Sequence, residues 1–341
     1  MRFEYYTDKL KDVPKLSVDG TVPNSIHFSH WQGNTTDASV KADTSTEIAL
    51  NLIASSRREE LTEGVELVTN NHFDTDGVLS VWTMLKGERA DDLREQLIAA
   101  AVAGDFSEYT GEDGVRASIC IQGSDNPLAS KEETGSPLAR RLAGESVEDD
   151  ARAYDLVLPE VERVLTRTSD YEALWRPAWE RIAAALESFA SGRSKVEEDV
   201  DAHLSVVTLA PEIFSPEGFD ATRHCAPYTA ISQHARGQIY LIATPSGGGW
   251  SYRIDYPYYS WAETVVRPRI ERRDLSALVA RLNELERSAQ GRWKIDTSEL
   301  SSAVKFMDQT NALAPSSLAP ERVSEETRAA LLETRASVIG V

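Results

Sequence analysis

Apolar and polar residues alternate through Ser25-Ile-His-Phe-Ser-His-Trp31, a period of two that predicts a short strand. Residues 1–22 are polar and predict an irregular lead-in. Asp43-Thr-Ser-Thr-Glu47 opens the apolar stretch from Ile48, and a hydroxyl residue three places ahead of Glu is a helix-start signature. Val65 to Thr69 reads as the next strand and Gly77 to Leu85 as a helix. Ala90 to Val102 reads as a second helix, with Leu93, Leu97, Ile98 and Ala101 at helical spacing. Strand, helix, strand, helix predicts a parallel sheet covered by helices.

From 104 to 146 Gly, Ser, Pro and charged residues dominate, and Arg116 to Gln122 fits either a strand or a helix. Val147 to Arg167 and Tyr171 to Ser191 predict a hairpin of two long helices, with Trp175, Trp179 and Ile182 on one packing face. Gly192 to Asp201 reads as the connection between domains. Beyond it Leu204 to Leu209, Gln238 to Thr244, Trp250 to Asp255 and Tyr258 to Val265 read as strands punctuated by Gly and Pro. Asp274 to Glu286 is an amphipathic helix with Asp274 at its N-cap, Trp293 to Thr297 is one more strand, and the tail from Asn311 is expected to be exposed. The fold class is therefore α/β. An N-terminal parallel-sheet domain with the helical hairpin, residues 1–192, precedes a smaller α+β mixed-sheet accessory domain, residues 193–341. A chain of 341 residues also exceeds the roughly 250–300 at which one hydrophobic core stops growing.

Charge narrows the partners. The net charge is −19, so a long nucleic acid is disfavoured, and the one basic cluster is Arg267 to Arg273. No apolar run approaches the ~20 residues that span a bilayer, and the N-terminus lacks the apolar core of a signal peptide. Cys120 and Cys225 stand alone, which excludes a disulfide framework and a cysteine zinc site. A cytoplasmic protein without membrane association is expected, and a homodimer stays open.

The densest chemistry follows the strand at 65–69: Asn70-Asn-His72-Phe-Asp74-Thr-Asp76-Gly77. An imidazole and two carboxylates at alternate positions suit Mn²⁺, Mg²⁺ or Fe²⁺ better than a soft-ligand zinc site, and one or two such ions are the expected cofactor. The two aspartates repel each other unless a cation or proton lies between them. The alternative is a solvated turn whose side chains cap the next helix. Asn70 and Asn71 are outer donors or simply strand-ending residues. A second constellation is His27, His30 and Asp43, the last at a helix start whose N–H groups suit an anion. His30 and Asp43 are candidate metal ligands alongside His72. In the second half Arg267, Arg269, Arg272 and Arg273 are candidates for clamping a phosphate, and Gly248 lies in a glycine-rich loop before Trp250 that also fits a hairpin turn. His203 and His224-Cys225 are further polar candidates.

A strand followed by His72, Asp74-x-Asp76-Gly77 and a helix resembles the first motif of the DHH-type phosphoesterases. The resemblance covers about a tenth of the chain, and the Asp-His-His sequence that names the superfamily does not occur. It implies Mn²⁺ ligation by His72, Asp74 and Asp76 at the carboxyl edge of a parallel sheet. It also implies a further aspartate ligand for which Asp105 is suitably placed, and a glycine-rich accessory-domain loop for which Gly248 stands. With it, the leading expectation is a metal-dependent hydrolase of a phosphoester or phosphoanhydride in a small molecule. Water activated by the metal would attack phosphorus while Arg267, Arg269 and Arg273 hold the remote phosphate. Two alternatives are a metalloenzyme of other chemistry, non-phosphate hydrolysis or an iron-dependent step, and a non-enzymatic assembly protein. The latter would use Tyr252, Tyr256, Tyr258, Tyr259 and Trp261 as its interface.

Overall fold

The structure, a computed structural model, describes residues 1–124, 135–211, 228–296 and 301–339, with side chains up to 333 in the last stretch. His224 and Cys225 lie outside the described residues. The chain divides into two compact units. One contains the described residues up to Glu180 together with Trp261–Arg269; the other contains those from Arg181 to Ser260 and from Ile270 onward. The division thus falls inside a helix rather than after residue 192, and a later segment belongs to the first unit.

In the first unit β1 (Arg2–Phe3), β2 (Leu16–Val18), β3 (Ile26–Phe28) and β4 (Leu67–Thr69) form a sheet in the order β1-β4-β2-β3, and every pair is parallel. Residues 1–22 are therefore not an irregular lead-in: they supply two strands. Both are too short to display a period, yet Leu16 and Val18 are fully buried at the sheet centre. The helices are α1 (Ser45–Ala54), α2 (Arg58–Thr62), α3 (Thr75–Lys86), α4 (Arg94–Phe106), α5 (Glu112–Gln122), α6 (Pro137–Ala143), α7 (Asp150–Val157), α8 (Val161–Thr166) and α9 (Glu172–Ala190). Arg116 to Gln122 is helix. The long helix expected from Val147 is broken by a 3-10 turn at Leu158–Glu160, where Pro159 has no N–H to continue the ladder.

The second unit is built on β5 (Lys195–Asp199), β6 (Leu204–Thr208), β7 (Ile239–Ser246), β8 (Gly249–Asp255), β9 (Arg292–Ile295) and β10 (Ser302–Met307), with α10 (Tyr228–His234), α11 (Ser276–Leu285) and α12 (Pro320–Ile339). Sheet order is β5-β6-β7-β8-β10-β9, and only β6 with β7 is parallel. Along β7 the faces alternate strictly. Ile239, Leu241 and Ala243 join the cluster holding Leu278, Leu282, Val323 and Leu331, whereas Tyr240 and Ile242 join Phe189 and Ile231.

Several expectations change here. The stretch 192–201 contains edge strand β5 and is not a free connection. Tyr258 to Val265 is no strand: Tyr258–Trp261 form a 3-10 turn in which Ser260 N–H donates to Pro257 O. The tail after Asn311 carries α12, whose Val323 and Leu331 are buried. Tyr252 and Tyr256 are buried as well, which removes them from any interface. Gly247 and Gly248 form the two-residue turn between β7 and β8 with φ of 55° and 83°, the left-handed pair a tight hairpin requires. Among the described residues no helix is long and apolar enough to cross a membrane.

Candidate metal centre

Parallel sheets present ligands at the carboxyl ends of their strands, and three adjacent strands of the first unit do so together. Asp19 follows β2 directly, His30 follows β3, and His72 to Asp76 follow β4. Helix α4 contributes Asp105. Two groups of ligand atoms result: Asp19, His30, Asp76 and Asp105, all buried, and Asp19, His72 and Asp74, of which the last two are partly open.

Asp19 belongs to both groups. Its Oδ2 lies 2.8 Å from His72 Nε2, and its Oδ1 lies 3.4 Å from His30 Nε2. His72 Nε2 is also 3.1 Å from Asp74 Oδ2. His30 Nε2 is 3.0 Å from Asp105 Oδ2 and 3.7 Å from Asp76 Oδ2. Neighbouring ligands of an octahedral ion at about 2.1 Å are themselves about 3 Å apart, so these separations fit a hard divalent cation. Both carboxylate oxygens of Asp19, and Nε2 of each histidine, are buried without a hydrogen bond of normal geometry. Buried polar atoms left in that state are rare and call for an explanation such as an ion.

The surrounding chain fixes each ligand. Asp19 has φ of 61°, a left-handed conformation uncommon outside glycine but tolerated by Asp and Asn. Strain of this sort gathers at functional sites. Next to it, a Cβ on Gly20 would stand 2.1 Å from Asn71 Oδ1, so glycine here leaves room for the Asn71 side chain that orients His72. His30 Nδ1–H donates to Asp43 O at 2.7 Å and His72 Nδ1–H to Asn71 Oδ1 at 3.1 Å, which turns both Nε2 atoms toward the carboxylates. Asn70 Oδ1 accepts the Asn71 and His72 N–H groups, and its Nδ2 donates to Tyr154 Oη. Tyr154 Oη in turn donates to His72 O at 3.0 Å. Asp74 does two things: Oδ1 caps α3 by accepting Gly77 N–H at 2.7 Å, and Oδ2 faces His72. The helix-capping reading and the ligand reading thus describe different oxygens of one carboxylate. Asp76 accepts the N–H groups of Ser45 at 2.7 Å and Thr46 at 2.8 Å, so the anion at the start of α1 is a side chain of this protein. Asp105 approaches because Gly104 packs on α3, where a Cβ would meet that of Thr75 at 2.7 Å.

Electrostatics bear the marks of this crowding. Burial opposes charge on His72, yet Asp19 and Asp74 push it up to about 12. Burial likewise opposes charge on His30, and Asp105 and Asp19 raise it well above the imidazole range. Burial, helped by the charge of Asp19, pushes Asp76 up to about 7, and burial with the charges of Asp74 and Asp76 holds Asp105 well above the carboxylate range. Asp19 would be raised by burial, but the two histidines hold it below that range.

Of the residues singled out in the sequence, His72, Asp74, Asp76, His30 and Asp105 are brought together. Asp43 is adjacent but differently employed. Its carboxylate accepts the N–H groups of Val265, Val266 and Arg267 and pairs with the Arg267 guanidinium at 2.7 Å, leaving its main-chain oxygen to orient His30. Asp19, and not Asp43, belongs to the two groups of side chains that could hold an ion. Arg267 also pairs with Glu108, so its guanidinium ties the 261–269 segment to the first unit and is committed there rather than to a substrate phosphate. Arg269 is exposed in that segment. Arg273 and Gly248 belong to the second unit, where Arg273 Nη1 donates to Leu331 O, and His27 is in neither ligand group. Sequence reading missed Asp19, although Leu16-Ser-Val-Asp19-Gly20 repeats in miniature the apolar run, acid and glycine of the later loop.

The tie gives a direct expectation. Asp43→Ala removes one partner of a largely buried ion pair and lowers stability by about 3 kcal/mol, while any divalent-metal content is expected to stay the same, because the Asp43 carboxylate is in neither ligand group. Loss of an ion in this variant, measured by elemental analysis, would make Asp43 a ligand after all.

No curated protein matches the chain. Residues 1–338 match a family described as one of unknown function, DUF6687, and the chain belongs to that family.

Proposed function

We propose that the cluster holds one or two divalent metal ions and that the protein hydrolyses a phosphoester or phosphoanhydride of a small molecule. The observation that carries this reading is Asp19, whose two oxygens face different histidines and have no hydrogen bonds of their own. His30, Asp76 and Asp105 would hold one ion, His72 and Asp74 the other, and Asp19 both. Such ions supply activated water and neutralise the charge gathered on phosphorus. The protein's own part is to fix ligand directions through Asp43 O and Asn71 Oδ1, and to keep the His30 side of the cluster dry.

The ligand chemistry supports Mn²⁺ or Mg²⁺. Each group has one histidine and otherwise carboxylates, an oxygen-rich set. An iron site of the facial-triad kind would need two histidines and one carboxylate on the same ion. The likeness of His72-x-Asp74-x-Asp76-Gly77 to the DHH-type motif favours phosphate chemistry, with Asp19 and His30 standing in for the Asp-His-His sequence that the chain lacks.

The test is elemental analysis of purified protein dialysed against Mn²⁺, followed by phosphate release from pyrophosphate and 4-nitrophenolate release from bis(4-nitrophenyl) phosphate. One or two ions per chain are expected, with hydrolysis that stops on chelation. Retained ions without hydrolysis of either compound would leave a metal site and discard the phosphatase reading; no retained ion would discard both.

A further inference from the structure

Beside the cluster stands an aromatic wall that metal binding does not explain. Trp31 packs edge-on against His72 with ring centroids 5.4 Å apart, and tilted against Trp261 at 5.0 Å. Trp261 in turn meets His30 edge-on at 5.0 Å, so the two indoles touch one histidine from each ligand group. All of these residues belong to the first unit.

Trp31 is 37% exposed, the only aromatic among the exposed large hydrophobic side chains of the described residues. Neither neighbour lies parallel to it, the interplanar angles being 62° and 58°. The loop carrying it is nevertheless held firmly. Trp31 N–H donates to Ser29 Oγ, and Asn34 Nδ2 donates to Trp31 O. Gly33 N–H and Asn34 Nδ2 donate to the Glu263 carboxylate, which also pairs with Lys41. Glu263 N–H donates to His30 O at 2.7 Å. An indole held on an anchored loop with 37% of its surface open to water can receive a flat group at little cost in ordering.

We infer that Trp31 is a stacking platform, and that the substrate is a phosphate ester carrying a planar aromatic ring, with the ring on Trp31 and the phosphate at the carboxylate cluster. The inference rests on the proposed reading that the cluster, loaded with metal, receives a phosphate. Stacking of a base on an aromatic side chain is worth a factor of about 5 to 150 in affinity.

The experiment compares two probes that differ only in the ring, adenosine 5′-monophosphate and ribose 5-phosphate, by calorimetry on Mn²⁺-loaded protein. The wild-type protein is expected to bind the ring-bearing probe at least about fivefold more tightly. Trp31→Ala and Trp31→Leu are expected to bring the ratio near one while leaving ribose 5-phosphate affinity and Mn²⁺ content unchanged, and Trp31→Phe to keep most of the preference. A ratio near one in the wild type, or a preference that survives in the Ala and Leu variants, overturns the platform and leaves the metal reading standing. Adenosine without phosphate separates the two ideas in the other direction. Binding of adenosine that depends on Trp31, with no affinity for ribose 5-phosphate, keeps the platform and removes the phosphate-binding role of the metal. No binding of any of the three probes overturns both.

Discussion

Asp19→Asn is expected to abolish metal uptake at both ligand groups in one step. Asn keeps the size of the side chain and is among the few residues that accept φ of 61°, so the backbone turn after β2 survives. It removes the negative charge and replaces one of the two carboxylate oxygens, each of which faces a different histidine, with an N–H₂ group that could not ligate. Loss of an outer-shell partner costs about 10- to 100-fold in metal affinity, and loss of a ligand common to two ions exceeds that range. Elemental analysis should find the variant without Mn²⁺ at concentrations that saturate the wild type. Thermal melts should find the Mn²⁺-induced rise in Tm gone, a rise worth about 2.7 kcal/mol at a hundredfold excess over Kd. A variant that still takes up its full complement of Mn²⁺ would remove Asp19 from the centre of the site.

The second large effect is with pH. Without metal, His72 is pushed up to about 12 and Asp76 up to about 7, so both hold protons that a cation must displace. At every pH from 6 to 9 the His72 proton has to leave, His30 and Asp105, raised as well, add protons of their own, and below 7 one more comes from Asp76. Mn²⁺ affinity is therefore expected to fall at least tenfold for each unit of acidification, and to fall more steeply below pH 7, where the Asp76 proton joins the exchange. Calorimetry in buffers of different ionisation enthalpy counts those protons. An affinity constant across this range would mean that the site is not organised around these groups.

The same shifts set the stability of the metal-free protein. A group whose folded pKa is raised contributes stability below its unfolded value and loses it as pH rises through the folded one. Asp76 thus withdraws its contribution as pH rises from the ordinary carboxylate range to about 7, and His72 withdraws its own progressively above its ordinary 6.5. Asp19 has the opposite sign, its contribution disappearing only in strong acid. Bound cation relieves the alkaline penalty, because it takes the place of the protons that the crowded carboxylates otherwise need.

Much of the first sheet was legible because apolar runs end in recognisable chemistry. The strand before Asn70, the helix after Asp74 and the helix capped at Thr44 were all readable from period and capping. What escaped were strands too short to have a period. β1 and β2 have two and three residues, and with β2 went Asp19, the residue on which the site turns. His30, singled out in a predicted strand, and Asp105, singled out just past the predicted helix 90–102, lie in one group of facing side chains. The second unit was harder for another reason. Tyr258 to Trp261 has the aromatic content of a strand, but the chain enters it from Pro257 and closes a tight turn instead. α12 looked like a polar tail because few of its residues face the core, though Val323 and Leu331 suffice to dock it. Local patterns register faces of regular elements; a residue such as Asp43, whose carboxylate is used by residues 265–267, leaves no local signature at all.

The return of Trp261–Arg269 to the first unit has a bearing on synthesis. Asp43, Glu108 and His30 leave the ribosome long before Arg267 and Trp261 have been made. At about 5–20 residues per second the delay between Glu180 and Arg267 is on the order of 4 to 17 s. During that interval the N-terminal unit can acquire its sheet and helices but not the closing tie, so a buried aspartate and an aromatic-covered histidine are still waiting for their partners. Folding of the first half is in this sense obliged to finish after most of the second half exists.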